Sequence, residues 1–411
     1  MESATKWLTP RRIRAHATVL ALCLWGVCAV DFATPGMYDR AGNIKFQDFL
    51  PLYASARLIA QQRASELYQQ VIAESIQAIV GHPTRVLLPN LYGPQVGLFF
   101  VPLSRFSFPV AARIWMTISL LIYFACIYLV WKSCSVLQAH AAMVALCAIA
   151  FPPLFHFFVR GQMSALVLAC FTAAFLAFRA DRHWLAGVAL GFLVFKPQFL
   201  VAIPLVLLLA HAWKAFAGVV IASAAQLAVT TIYFGPAVMH AYFDTLWHIS
   251  RVIDAAELSL APIQMHSLRS FWSLLIPWPE AALVLYALTS LAIVVTAAAI
   301  WESSAPLAPR FAALTLAAVL VNPHLFIYDL LVLAPPLLLV ADWTLRNPQH
   351  PSSAALKLLL YLAFLLPLFG PLSRWTHVQL SIPVFTVLLW TIWRQSKTPS
   401  HKLASNESGV V

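Results

Sequence analysis

Apolar runs of about 20 residues, the length that crosses a hydrocarbon core, recur along the chain from "HATVLALCLWGVCAV" to "VQLSIPVFTVLLW". After a first helix over 16–31, they predict spans near 109–131, 140–158, 162–178, 184–195, 197–212, 215–234, 281–301, 308–321, 325–342, 355–371 and 377–393. The fold class this predicts is an all-α polytopic membrane protein of roughly a dozen transmembrane helices, with both termini on the same side. The stretch "LYGPQVGLFFVPLSRF" is apolar but short and broken by Pro94 and Pro102, so it is expected to enter the bilayer without crossing. Two long segments interrupt the pattern, a first outer loop at 31–90 and a second at 235–280. Within the first, Phe46, Phe49, Leu50, Tyr53 and Ala56, and then Leu67, Val71, Ile72, Ile76 and Ile79, fall at helical spacing and predict two short helices lying in the interface. A basic stretch at 1–15 and a polar, disordered tail at 394–411 flank the transmembrane domain 16–393. No internal repeat is visible.

Composition reinforces the pattern. Of the 411 residues 61% are hydrophobic and 10% charged, far from the quarter-charged make-up of a soluble domain. The net charge of +11 would suggest nucleic acid only if the cations formed a solvated basic face. Instead Arg11, Arg12, Arg14, Lys132, Arg179, Arg182, Lys214, Arg310 and Arg346 lie between apolar segments or at the ends, so the excess reads as positive-inside topology and nucleic acid is set aside. The basic start followed by an apolar run resembles a signal peptide, but "GVCAVDF" is a poor cleavage site and many spans follow, so an uncleaved first helix in an inner or plasma membrane is expected. The six cysteines lack metal-ligand spacing and read as small core residues.

An ionisable residue at membrane depth is costly unless it is paired or faces a wet cavity, so each is a candidate site. Arg160 and Gln162 follow "FPPLFHFF", Lys196 interrupts "VALGFLVFKPQFLVAIPLVLLLA", and His324 and Asp329 flank the start of "LFIYDLLVLAPPLLLV". Lys196 precedes Pro197, and a cation at a helix break suits a phosphate; the plain alternative is a lysine snorkelling at a helix end. Asp329 could simply pair with a cation in the bundle. Asp48, before Phe49, Leu50 and Pro51, looks like a helix N-cap. A carboxylate fixed there, with Tyr53 one turn on, is also placed to accept a proton from a sugar hydroxyl. Phosphate-binding glycine loops, zincin motifs and nucleophile elbows are all missing. No metal and no cofactor is expected.

Four blocks in order then resemble one family. "FQDFLPLYASARLIAQQRASELY", "YGPQVGLFFVPLSRFSFPVAARIW", "RGQMSALVLACFTAAFLAFRADRHWLAGVALGFLVFKPQ" and "VNPHLFIYDLLVLAPPLLLV" are similar to blocks of glycosyltransferase family 87. The resemblance implies a GT-C-type bundle and an inverting transfer of a sugar from a polyprenyl-phosphate donor, mannose foremost and arabinofuranose in some members, to a glycolipid or glycan acceptor. It implies an active site on the extracytoplasmic face, with Asp48 at the position of the family's catalytic aspartate. Arg160, Gln162, Lys196, His324, Asp329, Arg269 and Tyr53 are the expected donor-binding residues. Two departures stand out: "QMHSLRSFW" carries Met265 and His266 where the family has Asn and Gln, and Tyr328 precedes Asp329 where the family has His. A lipid-linked-sugar transporter or flippase, and a non-catalytic assembly partner, are the competing readings.

Overall fold

The computed structural model describes residues 8–69, 71–80, 90–248 and 263–397. Parts of both predicted outer loops, 81–89 and 249–262, and the tail beyond 397 lie outside the described residues. The described chain is helical throughout, joined by 3-10 turns and short links.

Among the described residues six helical stretches are long and apolar enough to span a bilayer: Pro10–Ala33, Phe108–Trp131, Trp213–Phe234, Pro279–Glu302, Ile327–Arg346 and Ser353–Thr376. A rise of about 1.5 Å per residue carries the longest of them about 36 Å, enough to cross with some tilt. A seventh span is formed if Leu137–Ile149 and Pro152–Arg160, bent by 48°, count as one. Four further apolar helices, Ser164–Arg179, His183–Phe195, Pro197–Leu209 and Leu307–Leu320, are shorter. The pattern that predicts a dozen crossings therefore resolves into six or seven long spans and a set of short helices. Leu307–Leu320 shows why: it is buried on every face, with Phe311, Leu314 and Leu320 wholly enclosed. Protein surrounds it on all sides.

The bend between Ile149 and Pro152 has a local cause. Pro152 and Pro153 cannot donate to the carbonyls of Ala148 and Ile149, four residues back, which a continuing helix would satisfy. The Tyr123 hydroxyl donates to Ala148 O at 2.9 Å and Trp25 Nε1 to Ile149 O at 2.9 Å, replacing both. Elsewhere small residues let backbones meet. A Cβ added to Gly187 would lie 2.0 Å from Ala215 O, and one on Gly218 would lie 2.5 Å from Trp184 O, so His183–Gly191 and Trp213–Phe234 pack main chain against main chain.

Both short helices expected in the first loop form, as Leu50–Ala60 and Val71–Val80. Leu50–Ala60 does not lie open to an interface: from Leu50 to Ile59 only Arg57 escapes burial. Its anchor is Phe49, 0% exposed, with ring centroids 5.4 Å from Phe100, 6.0 Å from Phe108 and 6.5 Å from Trp115. The cysteines divide: Cys28, Cys126 and Cys134 are buried as expected, whereas Cys23 is exposed on the outside of Pro10–Ala33.

Candidate active site

The aromatic cage around Phe49 fixes the residue before it. Asp48 lies in the 3-10 turn Gln47–Phe49, entered through Phe46 in the left-handed region at φ 57°. The helix that follows has no side-chain cap, so Asp48 is not the N-cap that its sequence context suggested. Its carboxylate is directed across the molecule, where Oδ2 accepts from Gln162 Nε2 at 2.8 Å and Oδ1 lies 3.9 Å from an Arg160 guanidinium nitrogen.

Arg160 and Gln162 reach Asp48 because of the residue between them. Gly161 ends the helix Pro152–Arg160 at φ 76°, a conformation that costs glycine little. A Cβ there would stand 3.0 Å from the Cβ atoms of both Phe46 and Phe49, so the Asp48 turn seats directly on this glycine. Phe46 N donates to Val159 O at 3.3 Å and closes the junction.

The Gln162 amide is oriented by two donors on its oxygen, the Tyr92 hydroxyl at 3.2 Å and Met163 N at 3.4 Å. Its nitrogen must then face Asp48. Two residues on, Ser164 donates to Asp329 Oδ1 at 2.8 Å, and Lys196 Nζ lies 2.5 Å from the same oxygen. Lys196 and Asp329 are 1% and 2% exposed, so each is the other's main charge compensation. The pairing of Asp329 with a bundle cation, one of the plain alternatives, is what the structure contains. Lys196 stands at a true break, between the 3-10 turns Phe192–Phe195 and Pro197–Leu200, and its ammonium is 5.5 Å from the Tyr328 ring centroid.

The remaining candidates take other places. The Tyr53 hydroxyl donates to Phe106 O at 2.6 Å and ties the first-loop helix to the segment before Phe108–Trp131. His324 lies in a tight turn capped by Asn322, whose Oδ1 accepts from the His324 backbone N–H at 2.9 Å, and its ring meets Phe326 edge-on at 4.8 Å. Arg269 is exposed on the helix Leu268–Leu275; its charge reaches His324 and Tyr286, and among the described residues no ion pair joins it to Asp48 or Asp329. Tyr92 and Ser164, which no sequence rule marks, complete the network; both lie inside the blocks that resemble the family.

Met265 and His266 support the segment Leu325–Phe326 that leads into the 3-10 helix Ile327–Leu333 carrying Asp329. His266 N donates to Leu325 O at 2.7 Å, Met265 bridges Phe326, and His266 Nδ1 is 2.8 Å from Ser381 Oγ. Burial first, and then the neighbouring His156, push the His266 imidazole down to about 3, so it is neutral at ordinary pH.

Electrostatically the group is compact. Burial raises the Asp48 carboxyl above its usual range, while Arg160, the Gln162 hydrogen bond and Lys196 hold the rise back and Asp329 adds to it. A poorly hydrated carboxylate, beside a guanidinium and above a buried Lys–Asp pair, can take up a proton at a pH where an exposed aspartate would not.

Fold and site together define a helical membrane protein with a charged polar cluster assembled from its first loop and three later segments. The chain belongs to glycosyltransferase family 87: that family's model matches residues 90–335, more than half the chain. The matched region holds Arg160, Gln162, Lys196 and Asp329, while Asp48 precedes it. No curated protein and no solved structure matches the chain.

Proposed function

We propose that this glycosyltransferase moves a sugar, mannose in the first instance, from a polyprenyl-phosphate donor to an acceptor hydroxyl on the extracytoplasmic side, with inversion and with Asp48 as general base. The observation that carries the reading is the pairing of Asp48 with Gln162 and Arg160 above the Lys196–Asp329 pair. The donor's isoprenoid tail stays in the bilayer while its head reaches the Asp48 turn, in keeping with a GT-C-type bundle.

The charge balance explains why these four ionisable groups belong together. With all of them ionised, Asp48 and Asp329 offset Arg160 and Lys196. In the transfer the acceptor oxygen attacks the anomeric carbon, its proton passes to Asp48 Oδ1, and the carbon–oxygen bond to the phosphate breaks. A phosphodiester becomes a phosphomonoester and gains one negative charge. At the same moment Asp48 is neutralised and the group gains one positive charge, freed on Arg160 and reinforced by Lys196. Charge that develops in a poorly solvated site is met by fixed charge of the opposite sign. Inversion requires one base and one displacement; a retaining route would need a second carboxylate close by as nucleophile. Asp329, the other acid of the group, is already committed to Lys196 and Ser164.

The test is purified protein in lipid nanodiscs given polyprenyl-phosphate [14C]mannose with membrane extract as acceptor pool. Labelled glycan appearing together with free polyprenyl monophosphate is the expected result. Absence of transfer from both the mannose and the arabinofuranose donors, with lipid-linked sugar crossing the bilayer of sealed vesicles, would replace the transferase by a transporter.

A further inference from the structure

Inside the cluster most hydrogen-bond donors are committed. Gln162 donates to Asp48, Tyr92 to Gln162, Ser164 to Asp329, and Lys196 is paired with Asp329. The exceptions are Arg160, 3.9 Å from Asp48, and Tyr328. The Tyr328 ring stacks on Phe326 at 5.4 Å between centroids and lies over the Lys196 ammonium at 5.5 Å, so the ring and not the hydroxyl holds this side chain in place. The charges of Asp48, Asp329 and Arg160 all bear on the hydroxyl, yet among the described residues no hydrogen bond reaches it. Nor is it sealed in. Tyr328 is half-buried, whereas Lys196 behind it is 1% exposed, and the phenol oxygen is not one of the enclosed, unpartnered polar atoms of the described residues.

This placement meets a need that the four charges leave open. Lys196 lends its field to a departing phosphate, but an enclosed ammonium, committed to Asp329 and covered by an aromatic ring, is not open to make the contact itself. A phenol is protonated at neutral pH and offers one hydrogen without adding charge. The acceptor hydroxyl has to give its proton to Asp48 and gains nothing from a second donor. The phosphate oxygen that takes the electron pair of the breaking carbon–oxygen bond becomes negative, and a donor already aimed at it stabilises that charge.

We propose that Tyr328 is a catalytic residue that touches the donor: its hydroxyl donates a hydrogen bond to the phosphate oxygen released from the anomeric carbon, keeping its own proton, while Lys196 supplies positive charge from behind. The proposal rests on the reading of this cluster as the centre of polyprenyl-phosphate sugar transfer with Asp48 as base.

The experiment uses the full chain in nanodiscs with polyprenyl-phosphate [14C]mannose, membrane extract as acceptor pool and added polyprenyl monophosphate as product inhibitor. Tyr328→Phe keeps the ring on Phe326 and Lys196 and removes only the oxygen, so a purely structural role would survive it. The expected result is a kcat lower by about 100-fold, the order for one donor to a developing oxyanion, with inhibition by polyprenyl monophosphate about tenfold weaker, as for one hydrogen bond to a charged group. The half-saturating amount of acceptor should stay within about twofold of wild type, and the unfolding midpoint should not fall. The proposal is overturned if kcat stays within about twofold of wild type, if it falls while product inhibition is unchanged, or if the loss appears in acceptor saturation instead. Failure of the underlying reading looks different: wild type does not consume the donor at all, or Asp48→Asn transfers as well as wild type.

Discussion

The two sides of Asp48 are built on opposite terms. On one, Lys196, Asp329 and Ser164 are buried and mutually satisfied. On the other, Arg160 is 45% exposed, lies 3.9 Å from Asp48, and borders a hollow with unpaired polar groups. A saturated buried pair fixes geometry and charge, and its loss is felt as stability. An unsaturated exposed group keeps its hydrogen bonds for a ligand, and its loss is felt as altered kinetics. Asp48 sits between them, hydrogen-bonded through Oδ2 to Gln162 and loosely ion-paired through Oδ1 to Arg160.

The contrast breaks most visibly at Lys196. Lys196→Met strands the Asp329 carboxylate in a dry site and should cost about 3–5 kcal/mol of stability, the usual penalty for removing one partner of a buried pair, read as a lowered midpoint in thermal or denaturant unfolding in detergent. Lys196→Met combined with Asp329→Leu should recover most of that stability and remain inactive. A double variant no more stable than the single would mean that the pair is not the unit described here.

At Arg160 the expected effect is kinetic. Burial already raises the Asp48 pKa, and Arg160 opposes the rise. A base must be deprotonated to act, so activity is lost as pH falls through that raised pKa. Arg160→Gln removes the opposing charge, raises the Asp48 pKa further, and should move the acid limb of the kcat/KM profile to higher pH. Unfolding midpoints should change little. Gln162→Leu should shift the limb in the same direction through loss of its hydrogen bond to the ionised carboxylate. A shift to lower pH in either variant would contradict the assignment of Asp48 as the titrating base.

The smallest effect is expected at Tyr53. Its hydroxyl serves Phe106 O and touches nothing in the charged group, so Tyr53→Phe should cost about 1 kcal/mol and leave the pH profile of transfer unchanged.

Much of the site was legible one residue at a time, because the bilayer makes every intramembrane charge conspicuous. Arg160, Lys196 and Asp329 stood out by that rule, and Gln162 and Asp48 by their places in resembling blocks. What the residues did not disclose was pairing. Lys196 and Asp329 are 133 positions apart, and no periodicity links them. Tyr92 and Ser164 are unremarkable polar residues until the fold brings them to Gln162 and Asp329. The capping expectation for Asp48 failed for a related reason: local sequence offers backbone amides as partners, and a glutamine 114 positions away took their place. The helices were legible in position and less so in role. Apolarity measures avoidance of water and does not distinguish lipid from protein as the substitute, so the sequence does not disclose that Leu307–Leu320 is enclosed by protein.

The central claim is that Asp48 takes the acceptor's proton. Its most direct test is glycosyl transfer by wild type and Asp48→Asn side by side in nanodiscs, with folding checked by the unfolding midpoint of each. An asparagine can still accept from Gln162 and spares the site a buried charge, so the variant should be at least as stable as wild type. Its transfer rate should fall by about 10²–10⁴-fold, the usual contribution of a general base. A folded Asp48→Asn protein that transfers at the wild-type rate would contradict the account and assign the base to another acid of the outer loops.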